Sequence, residues 1–360
     1  MKRVVILGST GSVGTQALEV IRLHRDNFRI VGLAAGQNRR LLEKQSLEFG
    51  GEVALGEIEA EQMAGQLEAD LVVNAITGSV GLPSTLAALR SGKQLALANK
   101  ESLVAGGELV KRASAPQQLI SIDSEHVAIA QGLRAGTRED VTRIIITASG
   151  GPFRGRRREQ LASVTPREAL RHPTWDMGVV ITTNSATMVN KGLEVIEAHL
   201  LFDVPYERIE VVVHPQSMIH SMVEFKDGST IAHASIPTMQ LAISFGLAWP
   251  DRVELEKPRI DWSRAGPWTF EDLDDETFPA VNLAKQVGAA GKTFPAVFNA
   301  ANERAVRLFH EGRLPFLEIV ETARRVVEMH DPERGDMTVE SIVMAERWAK
   351  DQVLALIGAL

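Results

Sequence analysis

Two short stretches of the chain concentrate side chains able to do chemistry. Asp123-Ser124-Glu125-His126 follows an apolar run at 119–122. Carboxylates two apart at a strand end can point the same way. Oxygen ligands without thiolates suit Mg2+ or Mn2+ rather than a structural zinc. The second stretch, 184–194, reads Asn-Ser-Ala-Thr-Met-Val-Asn-Lys-Gly-Leu-Glu. On a helix Asn190, Lys191 and Glu194 share a face, being four and three residues apart. Lys191, Asn190 and a serine suit a phosphate, and Glu194 suits a third place on the metal. Both stretches also have plainer readings. An Asp at a helix N-cap with a nearby Glu produces Asp-x-Glu, and Lys191 with Glu194 makes an ordinary exposed ion pair.

Three further segments carry polar groups at turns. Ser149-Gly150-Gly151-Pro152 follows a strand and can offer a hydroxyl and backbone N–H groups to the same anion, or be a turn alone. Residues 171–178 form a proline-broken loop with His172, Trp175 and Met177, where the Trp and Met equally suit a core. His214 and His220 flank a strand–turn region, where an isolated histidine is more often structural than catalytic.

These groups need elements to hold them. Apolar, β-branched runs at 3–7, 28–34, 71–75, 94–98, 119–122 and 143–147 alternate with helical periods such as 14–24 and 84–91. That alternation predicts a parallel, doubly wound sheet. The first run meets Gly8-Ser9-Thr10-Gly11-Ser12-Val13-Gly14 and then a helix. A strand, a glycine turn and a helix N-terminus make a pyrophosphate site. The second run ends without the carboxylate that holds a ribose 2′-hydroxyl. Gly36-Gln37-Asn38-Arg39-Arg40 stands there instead, which favours NADP. Two solvated arginines opening a helix are the alternative. Later, 159–200 reads as largely helical and broken near Pro173. Residues 211–215 and 221–235 read as strands with a hairpin turn at 226–229, 249–279 as a link, and 294 to the end as helices.

Composition narrows the class. The 360 residues carry a net charge of −7, which gives no support to nucleic-acid binding. No cysteine is present, which removes disulfides, thiolate zinc sites and a cysteine nucleophile. The N-terminal residues lack the pattern of a signal peptide and no run of eighteen apolar residues occurs, so the cytoplasm is expected.

Together these segments resemble one family, 1-deoxy-D-xylulose 5-phosphate reductoisomerase. The resembling pieces are GSTGSVG at 8–14, ANKESLV at 98–104, DSEH at 123–126, SGGPF at 149–153, RHPTWDMG at 171–178, NSATMVNKGLE at 184–194, HPQSMIHSMV at 214–223 and NAANE at 299–303. The resemblance implies a Rossmann-like α/β NADPH-binding domain at 1–148. It also implies an α+β catalytic and dimerisation domain at 149–275 and a helical domain at 276–360. It implies metal ligands at Asp123, Glu125 and Glu194, for Mg2+ or Mn2+ with Co2+ as an alternative. Ser149, Ser185, Asn190 and Lys191 match the phosphate pocket. Lys100, Ser124, Glu125 and His172 match substrate contacts, with Trp175 as lid of a flexible loop at 171–178. Lys100, Glu125, His172 and His220 match groups of the catalytic centre. Gly8, Thr10, Gly11, Ser12, Val13, Gly36, Asn38, Asn99, Glu101 and Gly178 match NADPH contacts. Val13 replaces the usual isoleucine. Gln37 stands where a lysine often lies beside the 2′-phosphate, which shifts weight to Arg39 or Arg40. The implied reaction isomerises a phosphorylated sugar and then reduces it with NADPH, in isoprenoid precursor synthesis. The implied assembly is a homodimer through the central domain's sheet.

Overall fold

The computed structural model describes every residue except Asp176, Lys257, Pro258, Ala265, Glu333, Ala359 and Leu360. In chain order the first part comprises β1 (Lys2–Leu7), α1 (Ser12–Leu23), β2 (Phe28–Ala35), α2 (Arg39–Phe49), β3 (Glu52–Leu55), α3 (Glu57–Gln66), β4 (Leu71–Asn74), α4 (Leu82–Arg90), β5 (Gln94–Leu97), α5 (Lys100–Ala113), β6 (Leu119–Ser121) and α6 (Ser124–Gly132). Then follow β7 (Val141–Ala148), α7 (Pro166–Ala169), α8 (Val179–Ala186), α9 (Val189–Phe202), β8 (Ile209–Val213), β9 (Ile219–Phe225), β10 (Thr230–Ala234), α10 (Met239–Ala248), β11 (Glu271–Asp272), α11 (Ala280–Ala290), α12 (Phe294–His310), α13 (Glu318–Glu328) and α14 (Val339–Gly358).

The chain divides into two compact units, one of Met1–Val127 with Thr238–Arg259 and one of Ala128–Pro237 with Ile260–Leu360. In the first, six strands pair in the order β3-β2-β1-β4-β5-β6, all parallel. The strands are short and apolar because helices cover both faces; Val4, Val5, Ile6 and Leu7 are all fully buried. Ala17, Leu18, Val20 and Ile21 of α1 pack into this core, and so do Ile243 and Leu247 of α10. Gly246 lets α10 approach β6, since a Cβ there would lie 2.2 Å from Ile122 Cγ2. Chain order reverses between β1 and β4, the switch point at which such sheets bind ligands.

The second unit holds a mixed sheet, β10-β9-β7-β8-β11, with helices including α9 and α11 to α14. β7 pairs antiparallel with β9 and parallel with β8. This corrects the expectation that the 143–147 run closes the first, doubly wound sheet. Its apolar pattern suits any buried strand, and only pairing assigns it. The hairpin turn at 226–229 forms as expected. Gly228 takes φ +83°, and the Asp227 side chain accepts the Ser229 N–H at 2.9 Å. The chain trace also differs from the boundaries at 148 and 275: residues 128–148 join the second unit and 238–259 return to the first. α10 escaped the sequence reading because it is apolar almost all round, which erases helical periodicity.

Candidate active site

The glycine turn is built by close backbone approach. Gly8 takes φ +77°, and a Cβ on it would meet Ala75 O at 2.6 Å. A Cβ on Gly14 would meet Gly8 O at 2.3 Å and Ser9 Cα at 2.6 Å. The turn is therefore closed to any side chain at either position, and Gly11 N–H donates to Gly8 O at 3.0 Å across it. Gly11 and Ser12 are exposed at the head of α1, where unpaired N–H groups and the helix dipole favour an anion; Thr10 and Val13 are half-buried. Val13 also packs on the core of this unit. Buried Ser9 pins the turn to α2. Its hydroxyl donates to Gln45 Oε1 and its carbonyl accepts from Gln45 Nε2, both at 2.8 Å.

After β2 the chain runs through exposed Gly36 and Gln37 to Asn38. The Asn38 side chain caps α2 by accepting the Leu41 N–H at 3.2 Å. Arg39 and Arg40 are both exposed there, and Arg39 lies 4.0 Å from Glu43. Sequence reasoning missed the segment after β4. Ala75 to Gly78 lies against the glycine turn at the β1/β4 switch point, and Asn99 Nδ2 donates to Gly78 O at 2.7 Å. The strand itself was legible; its adjacency to β1 was not.

Asn99 caps α5, accepting the Ser102 N–H at 2.8 Å. This puts buried Lys100 and half-buried Glu101 on the helix's first turn. Lys100 Nζ lies 3.3 Å from Asp123 Oδ2. Asp123 also does the plainer job open to it: its Oδ1 accepts the Glu125 N–H at 3.0 Å, capping α6. One oxygen caps and the other faces the lysine, so the helix-cap reading of Asp-x-Glu holds for this residue. Ser124 donates to Glu125 Oε2 at 2.6 Å. His126, given no role by its spacing, is buried with Nδ1 3.2 Å from Ser121 Oγ. That hydroxyl in turn accepts the Asp123 N–H, which braces the carboxylate's backbone.

In the second unit Lys191 Nζ meets Glu194 Oε2 at 2.5 Å, with the side chains only 7% and 2% exposed. This is not the solvated pair that the spacing also allowed. Asn190 Nδ2 holds the other carboxylate oxygen at 2.5 Å. A buried Met188 at φ +64° makes the turn between α8 and α9, an arrangement that costs about 1–2 kcal/mol for a residue with a Cβ. A Cβ on Gly151 would lie 2.8 Å from Ser185 O, so the loop after β7 abuts the last turn of α8. The Ser185 hydroxyl donates to Ile181 O at 3.0 Å.

His172 has a definable tautomer. Its Nδ1 accepts the N–H groups of Thr174 at 3.1 Å and Trp175 at 2.9 Å. The ring proton therefore sits on Nε2 and donates to Ser149 Oγ at 3.3 Å. Burial, then the nearby Lys191 charge, pushes the imidazole down to about 4, so it is neutral near pH 7. Ser149 Oγ also accepts the Gly151 N–H at 3.2 Å, which leaves its own hydroxyl hydrogen to donate elsewhere. Trp175 is half-buried and exposed Gly178 precedes α8; Asp176, within the same loop, lies outside the described residues.

The two remaining histidines divide. Buried His214 bridges Thr269 O at 2.9 Å and the Met218 N–H at 3.1 Å, and stacks on Phe270 at 4.6 Å: a structural residue, as expected of an isolated histidine. Buried His220 on β9 has its Nε2 2.9 Å from Ser235 Oγ and 3.3 Å from Ser235 O.

Comparison with known proteins identifies the family. Residues 4–55 and 49–107 match the family profile of 1-deoxy-D-xylulose 5-phosphate reductoisomerase, and residues 119–202 and 234–352 match two profiles of its C-terminal domain. The enzyme of that name from Leifsonia xyli subsp. xyli is 62% identical over 359 residues, 99% of each chain. The one from Paenarthrobacter aurescens is 52% identical over 98% of this chain and 97% of its own. Among solved structures, the reductoisomerase of Zymomonas mobilis in complex with NADPH superposes with a TM-score of 0.92 at 38% identity, over the whole of both chains. A reductoisomerase in complex with NADPH, fosmidomycin and magnesium also gives 0.92, at 32% identity over 99% of this chain and 98% of that one. The chain belongs to the 1-deoxy-D-xylulose 5-phosphate reductoisomerase family.

Proposed function

We propose that these residues divide among them the work of the family's reaction, the NADPH- and divalent-metal-dependent conversion of 1-deoxy-D-xylulose 5-phosphate to 2-C-methyl-D-erythritol 4-phosphate. The observation that carries the division is the buried Lys191–Glu194 pair with half-buried Asn190 beside it. It combines a cation suited to phosphate with a carboxylate suited to a metal.

The donor set fits a hard divalent ion. Asp123, Glu125 and Glu194 are all carboxylates, two half-buried and one buried. The glycine turn fits a dinucleotide, because the space a Cβ would fill at Gly8 and Gly14 is taken by backbone. When bound, the ion polarises a carbonyl and its neighbouring hydroxyl as a Lewis acid, and NADPH supplies hydride.

The chain's own groups do the rest. Lys191, Asn190, Ser185 and Ser149 grip the phosphate, which anchors the remote end and lets its binding energy position the reacting carbons. Ser149 is prepared for this, since its oxygen is occupied by two donors and its hydrogen is left to point at the anion. Neutral His172 orients Ser149 and, through Nδ1, fixes the chain entering the 171–178 loop. Trp175 and the loop shut out water. Lys100 holds or moves a proton at a substrate hydroxyl, with Asp123 keeping its ammonium in place. Ser124 and Glu125 face the sugar. His220 takes part through the face of β9, as the resemblance implies. On the cofactor side, Thr10, Gly11, Ser12 and Val13 receive the pyrophosphate. Gly36, Gln37 and Asn38, with Arg39 or Arg40, receive the 2′-phosphate, and Asn99, Glu101 and Gly178 complete the contacts.

The direct test follows NADPH absorbance with 1-deoxy-D-xylulose 5-phosphate after treatment with EDTA, with and without added Mn2+. Turnover that needs Mn2+ is expected; full turnover in EDTA overturns the metal assignment. We also read the protein as a homodimer through the β10-β9-β7-β8-β11 sheet, whose edge strand β10 exposes Ile231. Sedimentation at a monomer's mass overturns this. The cytoplasm remains the proposed location; among the described residues no helix is long and apolar enough to cross a membrane. The helical stretch at 276–360 is proposed as a third domain.

A further inference from the structure

The NAANE string at 299–303 has no place in the division of labour above, yet it reaches the phosphate pocket from behind. Asn302 lies on α12, almost fully buried, and its Nδ2 donates to Asn184 Oδ1 at 2.8 Å; Asn184 is buried too. Asn302 Oδ1 accepts no hydrogen bond among the described residues. Its neighbours on the helix include Phe298, Ala301, Ala305 and Val306, all buried. A buried amide with one partner and an orphaned oxygen is a poor choice for stability alone, where an apolar side chain serves better. Its value lies in direction: it holds one particular atom.

That atom belongs to a helix that needs holding. The first five residues of α8 are Val179, Val180, Ile181, Thr182 and Thr183, all β-branched and weak helix formers. The hydroxyls of Thr182, Thr183 and Ser185 bond back to carbonyls four residues earlier, a habit that loosens and bends helices. α12 restrains this helix at two points. His310 Nε2 lies 2.8 Å from Thr183 Oγ1, and Asn302 holds Asn184, the residue before Ser185. The glycine loop after β7 abuts Ser185 itself, so a shift of this turn moves Ser185 and disturbs the loop carrying Ser149.

We propose that Asn302 is a positioning residue for the phosphate pocket. Through its hydrogen bond to Asn184 it fixes the last turn of α8, and with it Ser185, without touching substrate. This rests on the assignment of Ser185, Asn190 and Lys191 to phosphate. The test is steady-state kinetics of the whole enzyme with Asn302→Leu, Asn184→Leu and the double variant, beside Lys191→Met. Loss of one such hydrogen bond is expected to raise KM for 1-deoxy-D-xylulose 5-phosphate about threefold to tenfold. kcat should stay within about twofold and KM for NADPH should hold, with the double variant no worse than either single. A lowered melting temperature with KM unchanged overturns the proposal. So does a parallel loss in kcat and in both KM values, or an additive double variant. If Asn302→Leu does not fold, Asn302→Ser is read by the same criteria. A KM that rises for Lys191→Met but not for the asparagine variants overturns this proposal alone. A KM that rises for none overturns the phosphate assignment as well.

Discussion

Replacing Lys191 by methionine keeps much of the side chain's bulk and removes the charge that Glu194 faces. The pair sits at 2.5 Å with both side chains almost fully buried, so water screens it little. Removing one partner of a buried ion pair typically costs about 3–5 kcal/mol, because the other charge is left uncompensated. Asn190 still donates to Glu194, which points to the lower end, about 3 kcal/mol. Adding Glu194→Gln removes the stranded charge, and the double variant is expected to return to within about 1 kcal/mol of the parent. Urea denaturation with EDTA present reads both numbers. The second readout is kinetic. A charge-assisted hydrogen bond to phosphate is worth about 1.5–3 kcal/mol. Lys191→Met should therefore raise KM for the sugar phosphate roughly tenfold to 150-fold. Equal stability of the single and double variants refutes the account of the buried pair. An unchanged KM refutes the phosphate role.

Three other outcomes follow from the same geometry. Glu194→Gln is expected to cut metal-dependent turnover by roughly a hundredfold while leaving the Kd for NADPH unchanged; near-normal turnover removes Glu194 from the ligand set. Gly14→Ala puts a methyl against Gly8 O and Ser9 Cα, both backbone and unable to rotate away. NADPH titration should show a Kd about fivefold to 150-fold higher, from overpacking of about 1–3 kcal/mol, and an unchanged Kd contradicts the turn's role. The third concerns pH. The unfolded His172 imidazole takes up a proton near pH 6.5, while the folded one stays neutral down to about 4. Protons therefore favour the unfolded chain across that window, and its contribution to stability is lost as pH falls from 6.5 towards 4. His172→Gln should flatten the stability profile between pH 7 and pH 5 in urea titrations; an identical slope rejects the buried neutral ring.

Local backbone demands were the legible part of this chain. Gly8 and Gly14 announce a close-packed turn because nothing larger fits there, and Asp123 announces a helix start because its side chain takes up a free N–H. The Asp227-Gly228 hairpin turn was readable on the same ground. Elements without such punctuation were not. The strand at Glu52–Leu55 is short with a largely exposed start, and α10 is too uniformly apolar to show a period.

The candidate site divides along the same line. The chemistry proposed for it was legible in residue types alone: three carboxylates suited to a hard cation, a lysine and serines suited to phosphate, a second strand without an acid suited to NADP. Pairing and burial were decided only by tertiary structure. It moved the 143–147 strand into the second sheet and turned the Lys191–Glu194 spacing from a surface pair into a buried one. It gave Asp123 two duties at once, and brought Asn302 to Asn184 across 118 residues. The reason is physical. Caps and turns are satisfied within a few residues, so their types reveal them. Desolvation, strand pairing and long-range hydrogen bonds depend on what the rest of the chain places alongside.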